Sequence, residues 1–122
     1  VISEATLAAA LEFGEAFDRF AILVYEEARA RGWYDQPLTF GDQVALLHSE
    51  CSEALEAYRE LGFADRLSSD RGPEGVRSEL ADVLLRVAST AVSRGLILAP
   101  VLAEKIAFNA TRSYRHGGKR LG

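Results

Sequence analysis

The sequence has no methionine, one cysteine (Cys51), three prolines and one tryptophan. A single cysteine forms no intrachain disulfide and cannot build a Cys/His zinc cluster, so neither device is expected to hold the chain together. The histidines His48 and His116 stand apart, and no Glu-x-x-His pair is present, which disfavours a di-iron carboxylate bundle. No apolar run approaches the ~20 residues that a membrane-spanning helix requires. The first residues carry Glu4 and no basic segment, so a secretory signal is not read and a cytoplasmic location is expected, with no membrane partner. No GxxxxGK[ST] loop occurs, which excludes a P-loop nucleotide site. Sustained apolar/polar alternation is also missing, so no strand is expected.

What remains is a helical pattern in 122 residues, the length of one domain spanning 1–122. Net charge is −4, which argues against a nucleic acid polymer as partner. The charge is uneven: from Glu104 onward, Lys105, Arg112, Arg115, Lys119 and Arg120 face one acid. Four helices are expected, in an all-α bundle. The first runs from about Glu4, capped by Ser3, to Arg31 before Gly32. The second is capped by Thr39 with Asp42 three residues on, and ends near Leu61 before Gly62. The third opens on Pro73 and runs to Arg94 before Gly95; the fourth opens on Pro100 and reaches about Tyr114. Residues 63–72 read as a mobile loop and 113–122 as a partly flexible basic tail. Gly14 is expected to weaken the first helix by about 1 kcal/mol relative to Ala, and Cys51 to be a small core residue. The third helix is apolar nearly all round, from Val76 to Val92. That pattern implies burial, here beneath another subunit through apolar helix faces.

Chemistry enters with the acids. Glu50 and Glu53 lie three apart on the second helix, Glu79 and Asp82 three apart on the third. Residues so spaced share a helix face. Glu79 and Asp82 sit among Leu80, Ala81, Val83, Leu84 and Leu85, where an ionised carboxylate costs several kcal/mol unless it is paired or bound to a metal. Antiparallel packing of the two helices would bring all four acids together, with Arg86 neutralising part of the charge. Hard oxygen ligands suit Mg²⁺ or Mn²⁺. On the fourth helix Lys105, Asn109 and Arg112 fall at i, i+4 and i+7, a stripe suited to phosphate oxygens that Arg115 and His116 extend. Acids for a divalent cation beside such a stripe fit metal-assisted phosphoryl chemistry.

Three blocks carry a resemblance. Glu50-x-x-Glu53, a 25-residue spacer and Glu79-x-x-Asp82 are the first two, within His48 to Arg59 and Ser78 to Val83; Glu104 to Lys119 is the third. Together they resemble the MazG-like nucleoside triphosphate pyrophosphohydrolases of the all-α NTP pyrophosphatase superfamily. Ser113 stands where that family's pattern has proline. The resemblance implies Mg²⁺-dependent cleavage of a nucleoside triphosphate to monophosphate and pyrophosphate, in nucleotide-pool house-cleaning, with deoxynucleotides favoured. It implies that Glu50, Glu53, Glu79 and Asp82 hold metal and that Glu53 accepts the proton of the attacking water. Lys105, Asn109 and Arg112 would grip phosphates, with Arg115 and Lys119 from the tail, in a homo-oligomer, dimer or tetramer, with composite sites. Trp33 and His48 are candidates for contact with the base. A phosphoribosyl-ATP pyrophosphohydrolase and a non-catalytic helical binding module are the alternatives.

Overall fold

A computed structural model describes residues 1–112. Four helices and one short hairpin follow in the order α1 (Glu4–Ala30), α2 (Phe40–Leu61), β1 (Arg66–Ser68), β2 (Gly72–Glu74), α3 (Val76–Ser93) and α4 (Ala99–Asn109). The chain is thus mostly helical. No helix among the described residues is long and apolar enough to cross a membrane.

The helix starts follow local chemistry. Ser3 Oγ accepts from the Thr6 amide at 3.1 Å, satisfying one of the orphan donors of α1. At α2, Thr39 Oγ1 accepts from the Asp42 amide and Asp42 Oδ2 accepts from the Thr39 amide, both at 3.0 Å, which completes a capping box. Helix α4 has no side-chain cap of its own. Its cap comes from α1, where Asp18 accepts from the Leu98 amide at 3.1 Å and the Ala99 amide at 2.9 Å. A carboxylate there also complements the positive end of the helix dipole.

Helix α3 is central, packed on α1 and α2, while α4 packs on α1. The α2–α3 contacts run Gln43 to Ser93, then Glu50 to Arg86, then Glu53 to Glu79, which makes the two helices antiparallel. At one end the buried Gln43 donates to Ser93 Oγ at 2.8 Å and accepts from Arg94 Nε at 2.7 Å. Arg94 also donates to the Leu38 carbonyl at 2.8 Å, so this polar knot ties the start of α2 to the end of α3.

Several sequence expectations change, the absence of strands among them. Segment 63–72 is not simply a loop, and Pro73 is not in the first turn of α3: the chain forms an antiparallel hairpin with Arg66 opposite Glu74 and Leu67 opposite Pro73. Arg66 pairs with Glu74 at 2.6 Å and with Glu60 of α2 at 2.8 Å, closing the hairpin and fastening it to α2. Gly75 then turns the chain into α3 at φ 132°, where a Cβ would lie 2.9 Å from the Ala64 carbonyl oxygen. Helix α4 ends at Asn109, short of Tyr114. Cys51 is exposed on α2 instead of in the core. Gly14 is buried at a helix crossing, and a Cβ there would meet Ala99 Cα at 2.7 Å. Its missing side chain is what lets α4 dock.

The buried apolar residues are small: Ala21, Ala28, Ala88, Ala91, Ala99 and Ala103. Larger apolar side chains on α1 and α3 stay open, with Phe20, Leu80 and Leu84 respectively 49%, 52% and 54% exposed. Alanine lets helices approach closely but buries little area, so much of the apolar surface of α1 and α3 is uncovered in one chain.

Gly14→Ala is expected to destabilise the fold by about 1–3 kcal/mol through the clash with Ala99, despite alanine's better helix propensity. Asp18→Ala is expected to cost about 1–2 kcal/mol through lost caps. Urea unfolding midpoints check both; a Gly14→Ala midpoint at or above that of the parent would refute the crossing argument.

Candidate metal centre

Glu50 and Glu53 face Glu79 and Asp82 because α2 and α3 run antiparallel and are joined through the hairpin. One carboxylate oxygen from each of Glu50, Glu53 and Glu79 lies within 4.8 Å of the others. Asp82 sits one turn beyond Glu79, outside that tight trio but lining the same pocket as Glu53 and Glu79. Glu53 is exposed, whereas Glu50, Glu79 and Asp82 are half-buried.

The charges conflict. Burial, then the neighbouring charges of Asp82, Glu53 and Glu50, push the Glu79 carboxyl above the usual range. Asp82 is raised chiefly by burial and next by Glu50, with Arg86 opposing. Glu53 is raised chiefly by its hydrogen-bonding contact with Glu50 and by the charge of Glu50. Among the described residues, Glu79 Oε2 is buried and has no hydrogen-bond partner. A buried oxygen without a donor is costly. Only hard oxygen donors converge here, so the set fits Mg²⁺ or Mn²⁺ and does not resemble a zinc site.

Among the described residues, one cation reaches the trio directly. Arg86 Nε donates to Glu50 Oε1 at 3.1 Å, with side chains 24% and 13% exposed. The Arg86 guanidinium also lies 4.9 Å from the centre of the Trp33 ring.

Next to the trio, α2, α3 and the hairpin enclose an open pocket of about 330 Å³. Glu53, Glu56, Glu60, Glu74, Glu79 and Asp82 line it, together with Arg66, Arg71 and Ser78. The hairpin arginines were not foreseen in the sequence. Their only sequence signal is the run of charged residues from Asp65 to Arg71, which equally suits a solvated loop. Arg66 is committed to Glu60 and Glu74. Arg71 pairs with Glu74 at 2.9 Å while 70% exposed, an interaction of small net worth.

The expected phosphate stripe is not brought to the acids within one chain. Lys105 and Asn109 lie on α4, which packs on α1, and neither lines the acidic pocket. Arg112 falls past the end of α4, which breaks the i, i+4, i+7 register expected of the three. Arg115, His116 and Lys119 lie outside the described residues. Trp33 is 55% exposed in the α1–α2 connection, beside an apolar groove of about 340 Å³ that Phe20, Leu23, Val24 and Leu85 also line. His48 is exposed on α2 and lines neither this groove nor the acidic pocket.

Because folding raises Glu53, Glu79 and Asp82, the folded chain holds more protons than the unfolded chain between the ordinary and the raised carboxyl pKa. These three groups therefore favour folding most at pH below their ordinary range, and their contribution declines as pH rises through the raised values. Glu79→Gln is expected to raise metal-free stability at pH 7 and flatten this decline. Mg²⁺ is expected to raise the parent Tm more at pH 7.5 than at pH 5, and to leave Glu79→Gln nearly unchanged. Thermal unfolding with Mg²⁺ and with EDTA measures each effect; equal Mg²⁺ shifts in both proteins would remove Glu79 from the centre.

Comparison with protein-family models, curated proteins and solved structures finds no match to this chain.

Proposed function

We propose that the protein is a Mg²⁺-dependent nucleoside triphosphate pyrophosphohydrolase that releases a nucleoside monophosphate and pyrophosphate. The observation carrying this reading is the meeting of Glu50, Glu53 and Glu79 across α2 and α3, with one buried Glu79 oxygen left without a partner among the described residues. The resemblance to MazG-like enzymes supports the same reading and favours deoxynucleotides.

Glu50, Glu53 and Glu79 would hold the cation, with Asp82 beside them. A bound Mg²⁺ supplies positive charge for phosphate oxygens and acidifies a coordinated water. Glu53 is the exposed member of the trio, which suits it to accept a proton from water attacking the α-phosphorus. The acidic pocket repels a bare polyphosphate, so substrate enters as its metal complex. Arg71 lines that pocket and its pair with Glu74 is exposed, so its guanidinium can turn to the leaving pyrophosphate at little cost.

Within this reading, Lys105, Asn109 and Arg112 act on the acids of a second copy, since α4 packs on α1. The uncovered apolar side chains of α1 and α3 support such an assembly. Arg115 and Lys119 would add to the same contacts. Trp33, beside the apolar groove, is placed to stack on a base. His48 has no such groove within one chain and keeps a base role only in the assembly.

The deciding assay is pyrophosphate and monophosphate release from a panel of ribo- and deoxynucleoside triphosphates, with Mg²⁺ and with EDTA. Metal-dependent turnover is expected, lost by about 100-fold or more in Glu79→Gln, a drop of the size that removing a principal electrostatic stabiliser produces. A folded, Mg²⁺-binding protein that cleaves no nucleotide would sink the proposal. Arg71→Ala is expected to raise KM with a smaller change in kcat; unchanged kinetics would exclude Arg71. Mixing inactive Glu79→Gln with inactive Lys105→Ala is expected to restore activity, because mixed oligomers carry one site with both groups intact. No restoration after subunit exchange would refute the shared site.

A further inference from the structure

We propose that Arg86 is the positioning residue of the acid cluster and that Trp33 is its backstop, so that the state of Glu50 is transmitted to the chain's single tryptophan. The inference rests on the metal reading above only for its ion-binding arm. The geometry is a three-member chain. Glu50 Oε1 accepts from Arg86 Nε at 3.1 Å, and the Arg86 guanidinium carbon lies over the Trp33 ring, 4.9 Å from its centre. Arg86 follows Asp82 by one helical turn and so sits on the acid-bearing face of α3.

Each member is held from its far side. The Trp33 amide donates to the Ala28 carbonyl at 3.1 Å and the Gly32 amide to the Arg29 carbonyl at 3.0 Å, which fixes the Trp33 backbone at the end of α1. Gly32, at φ 82°, permits that turn. Arg86 is itself only partly exposed, between the Trp33 ring and Glu50. Glu50 is half-buried on α2, so Arg86 restrains a carboxylate that also lies within reach of Glu53 and Glu79. Arg86 thus partly neutralises the cluster and fixes the direction in which Glu50 points. Trp33 sets the guanidinium plane by cation–π contact.

Such a chain has a signature that a merely structural arginine lacks. Indole emission responds to the field of a neighbouring charge, and the sequence holds one tryptophan. A cation drawing on Glu50 loosens or reorients Arg86 and changes the emission of Trp33. Mg²⁺ titration is expected to give a saturable change in indole emission whose midpoint matches Mg²⁺ binding measured by calorimetry. In Arg86→Met that change is lost although calorimetry still finds the ion. Binding with unaltered emission in the parent overturns the proposal. Glu50→Gln tests the same chain without metal and without touching Arg86. It is expected to change Trp33 emission in the parent background and not in the Arg86→Met background. Identical spectra for parent and Glu50→Gln overturn the proposal. If calorimetry finds no ion, the metal reading falls and the Glu50→Gln comparison alone decides the role of Arg86.

Discussion

Repulsion among carboxylates on two packed helices is the constraint around which this molecule is arranged. Glu50 and Glu53 on α2 face Glu79 and Asp82 on α3, and among the described residues one arginine, Arg86, enters the trio to offset them. Helices α2 and α3 stay together because the contact is fastened at both ends. The Gln43–Ser93–Arg94 knot ties one end, and at the other Arg66 tethers to Glu60 of α2 the hairpin that leads into α3. Between these fastenings the acids are held in a geometry that they would not choose in water. Under the proposed function, a cation bound among these acids would relieve the cost of that geometry.

The positions of the helices were legible where a local rule acts alone. Ser3, Thr39 and Asp42 announce their helix starts because the capping bond needs only neighbours in sequence. The acid pairs were legible because i, i+3 spacing fixes a shared face whatever the tertiary fold. The hairpin was not, because strands of three residues are too short to show alternation and its closure depends on Glu60, six residues before Arg66. Gly14 was misread for a similar reason. Propensity makes it a weakness in a helix, and only the arrival of Ala99 from a distant part of the chain makes it a seat. The relation of the basic residues to the acids was likewise beyond local rules. Spacing put Lys105, Asn109 and Arg112 on one face, but helix packing decides which element that face meets, and α4 ends before Arg112.

The core explains why assembly enters the functional reading. Alanine at Ala21, Ala28, Ala88, Ala91, Ala99 and Ala103 brings three helix contacts close but contributes modest apolar burial. The larger side chains that would ordinarily supply that burial, Phe20, Leu23, Leu80 and Leu84 among them, point away from the chain's interior. Close approach and thick apolar filling are divided between two surfaces, one inside the chain and one outside it. The acidic pocket is enclosed by α2, α3 and the hairpin, so it does not depend on α4 for its walls.

The hairpin has a consequence for how relatives of this chain would be recognised. Its base is closed by Arg66 and Glu74, and Ser69, Asp70 and Arg71 at its tip are exposed. Residues added at that tip would lengthen the 25-residue stretch between Glu53 and Glu79 without displacing either helix. Doubling such a loop costs only about 0.6 kcal/mol in closure entropy. Separation along the chain is therefore a poor ruler for this acid constellation. What the architecture holds constant is the antiparallel alignment of two short helical motifs, so homologues should be sought by pairing the motifs and leaving the gap between them free.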